Sequence, residues 1–379
     1  MTDDPLFMIP GPTNLPEVVR EAVGRPTMYH RGPEFAALLR RCTDGLRRVF
    51  QTQNDVLILS ASGTGGVEAA ITNVISPDDR VLVVQGGKFG ERMAKIAQRY
   101  GALVTTLDVP SGQAAEPQQV ADLLSRRPFK ALLFVQNETS TGVTQNVATL
   151  AKIAGDYRCI TVVDCVSGMA GIPVKTDEWG LDVVVAGSQK AFMLPPGLSF
   201  VSMSPRAWEL AEVCRTPRFY FDLPAARDAL AKGQTPYTPA VPLIQGLDAS
   251  LGLIEAEGLE SVFARHAAGG RATRAGIQAL GLELFADAAY ASNVVTAVAS
   301  PEGIDSGTIV KAVLANANIL ISNGQSELKG RIFRIGHLGT VTQEDIVATI
   351  TAVAEALCAV GYRCTAKSAV AAVHSAYGG

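Results

Sequence analysis

The chain has 379 residues, of which 47% are hydrophobic and 18% charged, with a formal net charge of -3. That length exceeds one ordinary core and predicts about two domains, and the near-neutral balance argues against nucleic acid as a main partner. Six cysteines without a C-x-x-C pair and four scattered histidines predict no disulfide framework and no metal site, and point to a reduced, cytoplasmic setting. No apolar run reaches the length of about 18 residues that a membrane span needs. The opening stretch, Met1 to Pro12, lacks the basic and apolar regions of a secretory signal, and the closing stretch, His374 to Gly379, carries no retention signal.

Residues 5–33 are expected to be a loop-like arm, because Pro5, Pro10, Pro12, Pro16, Pro26 and Pro33 forbid a long regular element. Phe7, Met8, Ile9 and Leu15 suit an arm that crosses another surface of the protein. Residues 34–50 follow a helical period, with Phe35, Leu38, Leu39, Cys42, Leu46 and Val49 on one side. From residue 55 short apolar runs alternate with helical segments. Strands are expected at 56–59, 81–84, 103–109, 131–135, 160–164, 183–187 and 198–204. Helices are expected at 64–75, 89–100, 117–126, 147–157 and 205–214. This alternation predicts an α/β fold with a mainly parallel sheet covered on both faces. The last strand follows a short loop, which suits an antiparallel neighbour.

Residues 215–245, rich in proline, arginine and aromatics, are expected to be an irregular connection and a subunit contact. A long helix is predicted over 243–280, broken near Gly258 or near Gly269-Gly270. A smaller α+β unit follows, with strands at 292–300, 319–322 and 331–336. A closing helix at 343–360 is capped by Thr342, with Glu344 and Asp345 in its first turn. The expected division is an arm at 1–33, a large cofactor-binding domain at 34–245 and a small C-terminal domain at 246–379.

In open parallel sheets ligands sit outside the carboxyl ends of the strands. The strand at 183–187 delivers Gln189 and Lys190, followed by an apolar loop closed by Pro195-Pro196-Gly197. An ammonium in such surroundings loses hydration, its pKa falls, and the neutral amine can attack a carbonyl. A surface lysine on a loop is the plainer reading of this residue alone. After the strand at 56–59 come Ser60-Ala61-Ser62-Gly63-Thr64-Gly65-Gly66 and a helix, a pattern that suits an anion. It equally suits an ordinary capped turn, and its spacing matches neither a Walker A loop nor a dinucleotide fingerprint.

The strand at 160–164 ends in Asp164, a carboxylate that needs a partner, either loop N–H groups or a protonated ring nitrogen. An anion cradle, a buried carboxylate and a desolvated lysine on one edge match the phosphate, pyridinium nitrogen and aldehyde of pyridoxal 5′-phosphate. Phe89 suits stacking on a flat ring, or plain core packing. Arg334 suits a carboxylate ligand, or a structural ion pair.

Several stretches, in order, carry a family likeness. They are Pro10-Gly11-Pro12-Thr13-Asn14, Ser62-Gly63-Thr64-Gly65-Gly66 with Glu68-Ala69-Ala70, and Asn137-Glu138-Thr139-Ser140-Thr141-Gly142-Val143. Val163-Asp164, Gly187-Ser188-Gln189-Lys190 with Pro195-Pro196-Gly197-Leu198, Tyr237-Thr238-Pro239 and Arg334-Ile335-Gly336 complete the set. Over nearly its whole length the chain resembles the class V (fold type I) aminotransferases, within them the serine/alanine/aspartate–glyoxylate group. Asp177-Glu178-Trp179-Gly180 and Phe192-Met193-Leu194-Pro195-Pro196-Gly197 look most like the bacterial serine–glyoxylate type.

The resemblance implies a homodimer with shared active sites that carries pyridoxal 5′-phosphate on Lys190. It implies that Asp164 pairs with the ring nitrogen and that Ser62, Gly63, Thr64 and Gln189 hold the phosphate, with Thr238 of the partner subunit. By the same likeness Phe89 stacks on the ring, Thr139 and Val166 contact it, and Arg334 binds the substrate carboxylate. Where some relatives carry a tyrosine three residues before the phosphate-binding threonine, this chain has Thr235. Tyr29, His30 and Arg31 are further candidates for reading the amino acid, Arg31 being equally open to a structural role. The implied reaction is transamination between serine, alanine or aspartate and glyoxylate or another small 2-oxo acid. A pyridoxamine–pyruvate transaminase, a desulfurase-like lyase and a non-catalytic vitamin B6 binder are the rival readings.

Overall fold

The computed structural model describes residues 4–377, so the first three residues of the expected arm and the last two of the chain lie outside the described residues. The arm holds a short strand, β1 (Leu6–Phe7), and a helix the prolines had hidden, α1 (Glu17–Val23). Seven residues fit between Pro16 and Pro26, with Pro16 at the position before the first turn, where its missing N–H is not needed. Met8 is fully buried in the core of the C-terminal sheet, and its N–H donates to the Leu320 carbonyl at 2.9 Å. The arm therefore does cross another surface of the chain.

Next come α2 (Pro33–Phe50), β2 (Val56–Leu59), α3 (Gly63–Val74), β3 (Arg80–Gln85), α4 (Lys88–Arg99), β4 (Leu103–Asp108), α5 (Pro117–Ser125) and β5 (Ala131–Val135). A small hairpin, β6 (Asn137–Glu138) and β7 (Val143–Thr144), precedes α6 (Val147–Asp156), β8 (Ile160–Asp164), β9 (Val183–Gly187), β10 (Ser199–Met203) and α7 (Pro205–Val213). The main sheet runs β2-β10-β9-β8-β5-β3-β4, and only β10 is antiparallel to its neighbours. Alternate residues of its strands feed two separate cores. Val84, Phe134, Val163, Val184 and Phe200 face one, and Val83, Val135, Val162, Val185 and Val201 face the other. This is why the strands read as continuous apolar runs.

The register sets the position of the site. Ser199 of β10 pairs with Leu59 on one side and Gly187 on the other, and Asp164 pairs with both Val135 and Val185. The carboxyl ends of β2, β9, β8 and β5 therefore finish along one edge.

The stretch expected to be irregular contains a helix, α8 (Leu223–Ala231), capped by Asp222, whose side chain accepts from the Ala225 N–H at 3.0 Å. The long helix is broken at Gly258, φ +83°, into α9 (Val241–Glu257) and α10 (Leu259–Ala279); Gly269 and Gly270 lie inside α10. The C-terminal unit adds β11 (Val295–Ala299), α11 (Ser306–Ala317), β12 (Ile319–Leu320), β13 (Ser322–Asn323) and β14 (Ile332–Gly336). It ends with α12 (Gln343–Ala359) and α13 (Ala366–Tyr377). Thr342 caps α12, as the sequence predicted, and Asp345 completes a capping box with it, but α13 and not α12 closes the described chain. Among the described residues no helix is long and apolar enough to cross a membrane.

Candidate active site

Strand β9 ends at Gly187 and the chain turns at Ser188. The Ser188 hydroxyl donates to the Pro195 carbonyl at 2.7 Å and accepts from the Leu198 N–H at 3.1 Å, closing the loop that carries Lys190. Phe192 anchors this loop edge-on against Phe200, 4.9 Å between centroids. The arm closes over the lysine from the other side. Thr13 Oγ1 donates to the Lys190 carbonyl at 3.1 Å, and Lys190 Nζ donates to the Pro10 carbonyl. A Cβ on Gly11, φ +116°, would stand 2.7 Å from Lys190 Cδ, so only glycine fits beside the side chain. Burial lowers the Lys190 pKa to about 8; Asp164 opposes the shift, while Arg334 and Arg92 add to it.

Asp164 is buried at the end of β8. Its Oδ1 accepts from the Val166 N–H at 2.9 Å, and among the described residues no ion pair neutralises it. Burial raises its pKa to about 6, against the pull of the Val166 bond. At neutral pH it is mostly ionised, ready for a cationic partner.

Helix α3 starts after Ser62, which is extended and makes no side-chain cap bond. The first amides of the helix have no intrahelical acceptor and sit at the positive end of its dipole. Gly63 is pressed against Val166, where a Cβ would come within 2.7 Å of Cγ2. The Thr64 hydroxyl accepts from Arg92 Nη1 at 2.9 Å. Gln189 Oε1 is buried and, among the described residues, has no partner. An anion here gives the Gln189 amide a role, since the same side chain turned over offers its N–H₂.

A cavity of about 230 Å³ unites these groups. Ser62, Gly63, Thr64, Phe89, Thr139, Asp164, Val166, Gln189 and Lys190 all line it, with Arg92, Asn137 and Ser167, to which the sequence reading gave no role. Arg92 follows Phe89 by three residues on α4, so the two share a face, and its guanidinium lies 4.8 Å from the Phe89 ring centroid. A shared helical face is all that the sequence offers for Arg92, and an ordinary surface charge shows the same. A phosphate cradle at a helix start, a carboxylate facing a cavity and a desolvated amine fit pyridoxal 5′-phosphate. Among the described residues no group of three or more His, Cys, Asp or Glu side chains is placed to hold a metal ion.

Other predicted residues stand apart from the cavity. Arg334, on β14, is 5% exposed and pairs with no carboxylate among the described residues. Its Nε and Nη2 donate to the Asn323 carbonyl at 3.1 and 2.8 Å, and Nη1 donates to the Thr139 carbonyl at 3.0 Å. Three of its five N–H groups are so engaged, and burial lowers its pKa to about 10. Arg31 holds the loop before Tyr237, donating to Gln234 Oε1 and the Thr235 carbonyl at 2.8 Å each and to the Pro236 carbonyl at 3.3 Å. Tyr29 is 71% exposed, and Thr238 is exposed and lines no part of this chain's cavity.

The chain matches the family model described as aminotransferase class-V over residues 16–345. It is 42% identical to a Synechococcus protein named soluble hydrogenase, small subunit, over 96% of this chain and 95% of that one. It is 39% identical to the L-aspartate–glyoxylate aminotransferase of Paracoccus denitrificans, over 99% and 96%. The crystal structure of pyridoxamine-pyruvate aminotransferase from Mesorhizobium loti superposes with a TM-score of 0.95 at 31% identity, covering 98% of this chain and 97% of that one.

Proposed function

This chain belongs to the class-V aminotransferases, which work with pyridoxal 5′-phosphate, and from that premise we propose that it transfers the amino group of a small amino acid (serine, alanine or aspartate) to glyoxylate or another small 2-oxo acid. The observation that carries this reading is the meeting of Lys190, Asp164 and the start of α3 in one cavity. The cofactor, when bound, supplies an electron-accepting ring conjugated to an aldehyde carbon.

The remaining work belongs to the chain's own groups. Lys190 Nζ, partly neutral near pH 7 because its pKa is about 8, would hold the aldehyde carbon between turnovers. With the substrate amine in its place, Lys190 would remove the proton at substrate Cα as general base and deliver it as general acid to the former aldehyde carbon. Asp164 holds a proton at the ring nitrogen. Ser62, Gly63, Thr64 and Gln189 take the phosphate with Thr238 of the partner subunit, Phe89 covers one ring face, and Thr139 and Val166 flank the ring. Arg334 turns its two uncommitted N–H groups to the substrate carboxylate. Tyr29, exposed in one subunit, reads substrate across a subunit boundary, and Arg31 fixes residues 234–236.

A homodimer is part of this proposal. Phe219, Tyr220 and Tyr237 are exposed by 79%, 49% and 37%; Tyr237 stacks on Tyr220 at 5.4 Å between centroids and meets Phe219 at a tilt, 5.7 Å apart. The Tyr220 hydroxyl reaches the Ser60 carbonyl at 3.5 Å, so this aromatic patch borders the phosphate cradle. An apolar patch there suits a second copy better than water. A cytoplasmic setting is supported by six free thiols. Cys358 and Cys364 do not line the cavity, which speaks against a desulfurase-like role for either.

The test is the purified holoenzyme with each common amino acid plus glyoxylate, scored for glycine and the new 2-oxo acid, beside free pyridoxamine plus pyruvate. Glycine from serine, alanine or aspartate is expected. Turnover only with pyridoxamine favours the vitamin as substrate, and no turnover with any pair overturns the reading. Size measured under native conditions tests the dimer.

A further inference from the structure

We propose that Glu138 is a positioning residue for this reaction, a buried carboxylate that sets the pose of Phe89 and Arg92 at the cavity. The proposal rests on reading that cavity as the cofactor site.

Glu138 sits on the β6–β7 hairpin, 2% exposed, with no cation paired to it among the described residues. A carboxylate in that position is costly unless it is fully hydrogen-bonded. Its Oε2 accepts from the Phe89 N–H at 3.0 Å and the Gly90 N–H at 3.2 Å. Its Oε1 accepts from the Ser140 N–H at 3.2 Å and from the Ser140 hydroxyl. Ser140 Oγ in turn accepts from the Lys88 N–H at 3.0 Å. The opening amides of α4, which no intrahelical carbonyl serves, are thus taken up by Glu138 and Ser140 together. The positive end of the α4 dipole offsets the charge.

The joint is tight. A Cβ on Gly87 would stand 2.4 Å from Ser140 Oγ and 2.7 Å from Glu138 Cδ, so no side chain fits between the hairpin and the helix start. One residue into that helix is Phe89, and three further on is Arg92, whose hand rests on Thr64. Between Glu138 and Ser140 lies Thr139, which lines the cavity and gives its carbonyl to Arg334. A tripeptide therefore joins the ring-covering helix, the cavity wall and the arginine of the C-terminal sheet. Glu138 touches no reacting atom, and its effect passes through Phe89 and Arg92.

Glu138→Gln tests this. The amide has the same size, but its N–H₂ must face either the α4 amides or the Ser140 N–H, all donors, and the Ser140 hydroxyl can accept from it only by turning its own proton away. The readouts are kcat and KM, and the circular dichroism of the cofactor band, all taken at saturating pyridoxal 5′-phosphate. Expected are a kcat lowered roughly 10- to 100-fold, as displaced catalytic geometry costs, and a weakened cofactor dichroism, with Lys190 still modified by the cofactor. Ser140→Ala, a milder change at the same joint, is expected to move both readouts in the same direction by less, and it carries the test if Glu138→Gln does not fold. A lower melting temperature with kcat and dichroism unchanged at saturation would show a merely structural carboxylate and overturn the proposal. Failure of the cofactor reading itself looks different, because the wild-type protein would then show no cofactor band.

Discussion

Arg334 and Thr139 stand 195 positions apart in the chain, and a 3.0 Å hydrogen bond from guanidinium Nη1 to the backbone carbonyl joins them. The bond ties the C-terminal sheet to the wall of the cavity. Because Asn323 takes Nε and Nη2 from the other side, the guanidinium plane is fixed before any substrate arrives. Arg334→Lys keeps the charge and loses the fork. An increase of about 10-fold or more in KM for the amino acid is expected, larger than the change in kcat, because a planar bidentate contact is what lysine cannot copy. Steady-state kinetics with a fixed 2-oxo acid checks it, and an unchanged KM would remove Arg334 from substrate binding.

Asp164 makes a different kind of contribution. Asp164→Asn preserves its size and can still accept the Val166 N–H bond, but carries no charge to hold a proton at a ring nitrogen. A fall in kcat of at least ~10²-fold is expected, in the range of acid–base groups, with the melting temperature of the cofactor-free protein level or higher. The second expectation follows from burial, which already disfavours the charged form of Asp164.

Acid should weaken the fold through two buried histidines. His266 Nδ1 donates to the Val262 carbonyl at 2.7 Å, and its Nε2 accepts from the Gly339 N–H at 3.0 Å. Burial lowers its pKa to about 4, with Arg265 adding to the effect. His337 bonds Thr296 Oγ1 at 2.9 Å through Nε2, and burial, with Arg274 and His266, lowers it to about 3. Both are neutral when folded and protonate near pH 6.5 when unfolded, so below that value the unfolded chain binds more protons. The stability they leave intact is fully present above about pH 6.5 and is lost as pH falls toward 4, by at most about 1.4 kcal/mol per pH unit for each histidine. Urea midpoints at pH 7 and pH 5 measure the loss, and His266→Gln, which can still accept from Gly339, is expected to flatten it.

Much of this architecture was legible in the chain. The strands of the main sheet are continuous apolar runs because two cores cover them, and the residues after them fall on one edge because the strands are parallel. That is how Lys190, Asp164 and Ser62 to Thr64 could be connected from sequence alone. Other features had no local signal. Helix α1 lies between prolines that appear to forbid it until one counts the free residues. α11 and α13 are rich in alanine and small polar residues, so their periodicity is faint. Arg92 reads as an ordinary charge on an amphipathic helix, and only the approach of α4 to Thr64 gives it a place in the cavity. The partners of Arg31 are about two hundred residues away, and no periodicity reports them.

On the proposed roles, Lys190→Ala removes both the group that holds the cofactor and the base that moves the substrate proton. Loss of at least ~10³-fold in kcat is expected, since each such role is worth roughly 10²–10⁴. An external amine such as methylamine is expected to restore part of the rate, and near-wild-type activity without it would contradict the assignment.

The most direct measurement is chemical. Native holoenzyme is treated with borohydride, digested, and its peptides mapped by mass spectrometry for covalently fixed pyridoxyl phosphate. The mass increase is expected on the peptide that contains Lys190, and to be absent from that peptide in Lys190→Ala. Modification of a different lysine in the wild-type protein, or of none in a preparation that shows the cofactor band, would contradict the central claim that Lys190 is where the cofactor is held.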